Sequence, residues 1–193
     1  MANVDSAFGL RPVRYLGGAP YNGATVRAYV PSTDTDAAVY IGGLVKLAGG
    51  ADAHGVPTVT GNVATADAIY GVVMSVEPET DESPRYRVNS TSRYVNVALA
   101  HDLVFEVQED SDSESIVAAE VGSTADLVGF TSGDTATGLS AIEINSDTAG
   151  GTTGDHDVMI LGLSRKPDNA IGANAVWEVR LLNLQTVGDA VGV

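Results

Sequence analysis

Two stretches decide the fold: RYVNVAL at residues 93–99 and LVFEVQE at residues 103–109, separated only by AHD. In the first, Tyr94, Asn96 and Ala98 alternate with Val95, Val97 and Leu99; in the second, Leu103, Phe105 and Val107 alternate with Val104, Glu106 and Gln108. A strict period of two places one set of side chains inward and the other outward, which is the signature of a β-strand. Upstream, IYGVVMSV (69–76) is almost continuously apolar, as in a strand covered on both faces. Outward from this centre lie further strand candidates: ATVRAYV (24–30), AVYIGGLVKLA (38–48) with a break or bulge at Gly42 and Gly43, VPTVTGNV (56–63), RYRVN (85–89), SAIEI (140–144), VMILGLS (158–164) and AVWEVRLLNL (175–184).

The composition agrees. Val, Ile and Thr make up 49 of the 193 residues, and β-branched side chains suit a pleated surface. Gly and Pro number 29, too frequent for helices of ordinary length. The expectation is a mainly β chain: one β-barrel or β-sandwich domain over residues 24–193, preceded by an extended N-terminal arm at 1–23. DSDSESIVAAEVGSTADLVG (110–129) is the one good helix candidate, with Ser113 or Ser115 as cap and Gly122 as stop, giving a short helix near 113–121. Residues 130–157, rich in Gly, Thr, Ser and Asp, read as a protruding loop lobe around one short strand. No repeat of fixed period is evident.

Cysteine is absent, which excludes disulfides and thiolate metal sites. No positive n-region and apolar h-region open the chain, so no secretory signal is expected and only Met1 is expected to be removed. No apolar run reaches the length of a membrane span. The formal net charge is −15, and residues 94–164 hold 13 acids without a lysine or arginine. Such a block repels nucleic acid and anionic membranes, so neither is expected as a partner. It reads most simply as a solvated acidic face, or as the outward side of an assembly.

Catalytic patterns are missing. The three histidines, His54, His101 and His156, lack the further ligands a metal phosphohydrolase needs. Residues 110–121 place acids as a calcium loop does, but Ser115 stands at the sharp turn and Val121 where a bidentate Glu belongs. There is no nucleophile elbow and no P-loop. Glu77 and Glu79 form a possible acid/base pair, yet sugar-stacking aromatics are scarce and the lone tryptophan, Trp177, lies inside a strand pattern. The expectation is a protein that is not an enzyme, with no catalytic residue, metal or cofactor.

The first 30 residues stand apart: Arg11, Arg14 and Arg27 face a single acid, Asp5, among Phe8, Tyr15, Tyr21, two prolines and four glycines. FGLRPVRYLGGAPYNG here, with IGGLVKL, AIYGVV, VGSTADLV, TGLS and LGLSRKPDNAIGANAVWEVRLLN further on, resembles the head-decoration, or capsid cement, proteins of tailed bacteriophages. The likeness covers most of the chain in scattered short blocks. It implies a β-rich structural protein, made in the bacterial host cytoplasm, that binds the outer capsid surface of the virion. There it would bridge neighbouring major capsid protein subunits, typically as a homotrimer at local threefold positions. On that view the arm docks on the capsid through Phe8, Arg11, Pro12, Arg14, Tyr15 and Tyr21: aromatics as anchors, arginines pairing with carboxylates, and deletion of residues 2–16 leaves the domain folded. The alternative for the arm is that it caps a sheet edge of its own domain. The alternatives for the protein are another phage structural role (minor capsid, tail or fibre-base) and a carbohydrate- or receptor-binding β module.

Overall fold

The computed structural model describes residues 3–110, 112–151 and 156–186. Among the described residues twelve strands run in chain order: β1 (Arg11–Tyr15), β2 (Val26–Val30), β3 (Leu44–Ala51), β4 (Pro57–Thr60), β5 (Gly71–Val76), β6 (Arg93–Leu99), β7 (Leu103–Gln108), β8 (Thr124–Ala125), β9 (Leu127–Val128), β10 (Glu143–Ile144), β11 (Val158–Leu163) and β12 (Val176–Leu181). They form a closed five-stranded barrel in the order β2-β4-β3-β5-β6, a five-stranded sheet in the order β1-β7-β12-β11-β8, and the small ribbon β10-β9. The mainly β expectation, with a barrel, holds. In the barrel only the β2–β4 pair is parallel.

Alternation along β3, β5 and β6 ties barrel and sheet together. Val45, Val73, Val95 and Val97 point into the barrel with Ala28, Val30 and Val59. Their neighbours Leu44, Val72 and Ala98 point the other way, into a larger core with Phe105, Val107, Ile160, Trp177, Val179 and Leu181 from the sheet. The apolar run at 69–76 is therefore a strand covered on both faces, as its sequence predicts. Each fully buried Val or Leu contributes about 1.5–3 kcal/mol of transfer free energy, so the shared core makes barrel and sheet one cooperative unit.

Three local expectations are corrected. The helix near 113–121 is not formed: only a single 3-10 turn, Ala118–Glu120, appears. Ile116, fully buried, is the only inward apolar side chain of that window, too little for an amphipathic face. The groups that would start a helix are used elsewhere. Ser113 Oγ donates to Asp147, and the Ile116 N–H donates to the Glu109 carboxylate at 3.0 Å.

The segment 130–157, as far as it is described, is packed in part against the body rather than being a free lobe, although 131, 132 and 134–137 are exposed. Ile142 and Ile144 are fully buried in the larger core, Leu139 pairs with Ile41, and Gly133 lies against the Tyr40 ring, which a Cβ would meet at 2.4 Å. Residues 152–155 of that expected lobe lie outside the described residues.

RYRVN makes a single bridge, Val39 to Arg87, rather than a strand. Its second arginine turns inward. Arg87 is fully buried and donates to the backbone carbonyls of Pro31, Asp34, Ala37 and Thr91.

Candidate functional site

The N-terminal segment carries every residue expected to dock, and the fold uses it as structure. It is extended, as expected, but it is the edge strand of the chain's own sheet. β1 pairs antiparallel with β7, Arg11 opposite Glu106 and Tyr15 opposite Leu103, with an irregularity between Pro12 and Arg14. Just before the strand, the Leu10 N–H donates to Gly42 O at 2.9 Å and the Leu10 side chain is 2% exposed. Gly9 has φ +70° and Gly42 φ +83°. A Cβ on Gly9 would stand 2.5 Å from Gly42 O, and one on Gly42 2.5 Å from Phe8 O. Two backbones in such contact, both left-handed, require glycine at both places. The Gly42 N–H donates to Val73 O at 2.7 Å and the Ser140 N–H to Ile41 O at 2.8 Å. Phe8–Leu10, 41–43, Val73 and Ser140 thus meet at one joint between barrel and sheet.

The six residues expected to dock divide into two groups. Phe8 lies between two cations, the Arg11 guanidinium 4.8 Å and the Lys166 ammonium 5.2 Å from its ring centre, an attraction to the ring face. Lys166 is paired with Glu106 at 2.7 Å, which also accepts from Ser164 Oγ. Arg11 is exposed and pairs with no carboxylate among the described residues. Pro12 is buried, and Arg14 is committed to Glu178 at 2.7 Å. Tyr15 and Tyr21 pack as a tilted pair 6.2 Å apart. Their hydroxyls donate to Asn22 Oδ1 and to Ala24 O. Burial, with Tyr15 nearby, raises the Tyr21 pKa. Beside this pair lies a cavity of about 160 Å³, lined in part by Tyr15, Ala24, Val26, Leu99, His101 and Leu103.

Residues that the sequence did not single out hold the segment down. Asn3 bonds Ala170 O, Ala173 O and the Ala170 N–H. Gln108, nearly fully buried, donates to Val4 O and accepts from the Ser6 N–H. Around them Val4 and Ile171 remain 76% and 49% exposed; Arg11 is exposed as well, and Phe8 is half-buried. Gln108, Asn3 and Glu178 lie far from their partners in sequence, and no local pattern announces them.

The remaining polar groups expected to matter are occupied as well. Glu77 pairs with Arg27 at 2.6 Å, which holds its carboxyl below the usual range, and Glu79 pairs with Arg93 at 2.7 Å. A general acid requires the opposite displacement. His156 Nδ1 lies 2.9 Å from Asp126 Oδ1. Among the described residues no group of three or more His, Asp or Glu side chains is placed to hold a metal ion, and no helix is long and apolar enough to cross a membrane. Comparison with protein-family models, with curated proteins and with solved structures finds no match for the chain.

Proposed function

We propose that the protein is a structural component of a tailed-phage virion that binds the outer capsid surface and bridges neighbouring major capsid subunits, as a homotrimer at threefold positions. The observation that supports this best is where the resembling blocks lie. FGL, IGGL, the GVV of AIYGVV and TGLS are far apart in sequence, yet they supply the glycines and backbone hydrogen bonds of the joint between barrel and sheet. Residues shared for that reason belong to a common architecture, not to a common catalytic site, and the architecture of decoration proteins is their function. Exposed Val4, Arg11 and Ile171, with half-buried Phe8 beneath Arg11, offer an apolar and cationic docking face on a chain of net charge −15. Closed cyclic symmetry is the usual form of a homo-oligomer.

The test is co-sedimentation of the purified chain with capsids stripped of surface proteins. Binding is expected to saturate at a copy number set by the lattice. Arg11→Glu is expected to weaken it about tenfold, as loss of a well-placed interfacial charge does. Failure to bind, or density at twofold positions only, would refute the proposal or its trimer, respectively.

A further inference from the structure

The barrel has a covered side and an open side. Leu44, Val72 and Ala98 lie under the sheet, but the outward positions of β2, β4 and β3 border a groove of about 550 Å³. Tyr29, Lys46, Thr58 and Thr60 line it from the strands, and Asp34, Asp36 and Asn62 from the rim. From this we infer that the groove is a binding site for a neutral saccharide, independent of the capsid-docking face.

The aromatic wall is fixed in advance. The Tyr29 ring packs 5.1 Å from that of Tyr94. Tyr94 is itself clamped, by Arg27 3.6 Å above its ring centre and by its hydroxyl donating to Asp52 at 2.6 Å. A ring held this way can take the C–H face of a sugar without losing rotamer freedom on binding. The Tyr29 hydroxyl has no hydrogen-bond partner among the described residues, so a donor and acceptor stands free at the groove.

The rim supplies the complementary chemistry. Asn62 donates to Asp36 at 3.2 Å, an amide and carboxylate pair that offers both donors and acceptors to vicinal hydroxyls. On the floor Thr58 Oγ1 donates to Gly49 O and keeps only acceptor capacity, while Thr60 Oγ1 accepts from the Asn62 N–H and keeps its own proton to donate. Lys46, the one cation lining the groove among the described residues, is paired with Asp67 at 2.7 Å; the Asp34 carboxylate is turned to buried Arg87, 4.0 Å away, and Asp36 has no cationic partner among the described residues. That balance disfavours phosphates and acidic sugars and leaves polyhydroxylated, uncharged ligands. The lining is mostly polar, one aromatic among hydroxyls, carboxylates and an amide, which suits a hydrated polyol better than an apolar ligand.

The full chain would be titrated with maltotetraose, with chitotetraose and, as an anionic control, with sialyllactose, followed by backbone amide resonances. At least one neutral oligosaccharide is expected to bind with a Kd on the order of 1 mM, as suits a shallow, solvated site, moving the resonances of 29, 58, 60 and 62. Asp36→Ala combined with Asn62→Ala, both exposed positions, is expected to weaken binding about tenfold or more, and Tyr29→Ala likewise, while Tyr29→Phe keeps the ring. If Tyr29→Ala fails to fold, the rim variant decides. No shift with either neutral sugar at about fifty times that Kd overturns the inference. So does binding that survives the rim variant, or sialyllactose binding as well as the neutral sugars. Capsid binding is read separately, and neither result depends on the other.

Discussion

Glu143 is a carboxyl in the wrong place, and removing its charge is expected to stabilise the protein at neutral pH. Ile142 and Ile144 on either side are fully buried, so the short strand β10 turns Glu143 to the other face, where Asp5 and Asp110 are its charged neighbours. Burial first, and those two carboxylates second, push its pKa up to about 7 from an ordinary 4.5. Nothing among the described residues donates a hydrogen bond to it. In the unfolded chain Glu143 ionises near its ordinary value; in the native state it holds its proton to about pH 7. Between these values the native state binds more protons than the unfolded state, so its contribution to stability falls as pH rises through the window and stays low above it. At about 1.4 kcal/mol per pH unit the upper bound is about 3 kcal/mol, and solvent screening of a half-buried group lowers that to about 1–2 kcal/mol. Glu143→Gln mimics the protonated form. Urea unfolding of both proteins at pH 4.5, 6 and 8 is expected to show a variant equal to the natural chain at the lowest pH and about 1–2 kcal/mol more stable at the highest. Taking the difference cancels other titrating carboxyls, including Glu109 and Asp157, which burial also raises. A difference that is constant with pH, or a variant less stable at pH 8, would refute the placement of Glu143 beside Asp5 and Asp110.

Gly9→Ala places a Cβ 2.5 Å from Gly42 O at φ +70°, and is expected to destabilise the chain by about 2 kcal/mol or more in the same unfolding assay, since left-handed strain alone costs about 1–2 kcal/mol; a loss under about 0.5 kcal/mol would mean that the two backbones do not touch. Arg87→Leu removes the donor to four backbone carbonyls and is expected to cost about 3–5 kcal/mol, measured by the midpoint of thermal unfolding, whereas Arg14→Ala at the half-exposed pair with Glu178 is expected to cost less than about 1 kcal/mol. Deleting residues 2–16 removes an edge strand together with buried Leu10 and Pro12, and circular dichroism is expected to show loss of the β signal, contrary to the behaviour of a detachable arm.

What the sequence disclosed follows from how far each signal reaches. Period-two alternation is local, so β6 and β7 could be located as strands and the unbroken run at 69–76 announced a strand with two buried faces; in β7, however, every residue from Leu103 to Gln108 is buried, so its alternation separates two covered faces rather than an inner from an outer one. Glycine pairs announced a break before β3, and the chain indeed turns there, with the Gly43 N–H donating to Tyr40 O. Arg14 looked free because its carboxylate lies 164 residues away. Arg87 looked like part of an alternating strand because the carbonyls it gathers from 31–37 leave no mark near it in the chain. The acidic stretch at 110–129 looked helical because cap and stop residues were both present. What it lacked was a second inward apolar side chain, and packing decides a helix more than its ends do.

The N-terminal segment brings these lessons together, because folding and the proposed docking make competing claims on the same residues. A strand that contributes Leu10 and Pro12 to the interior and Arg14 to an internal ion pair cannot offer those groups to a partner without leaving its own sheet. Only side chains on its outer surface remain free: Phe8 between its two cations, Arg11, and the exposed Val4 held in place by Gln108. An interface built on such a strand is preorganised, since its backbone is ordered before the partner arrives and the entropy of fixing an extended segment has been spent in folding. Substitutions along the strand must therefore be sorted by burial before they are read as binding data. Loss of binding in a Leu10 or Gly9 variant would report the joint, and loss of binding in an Arg11 variant of unchanged stability would report the proposed docking face.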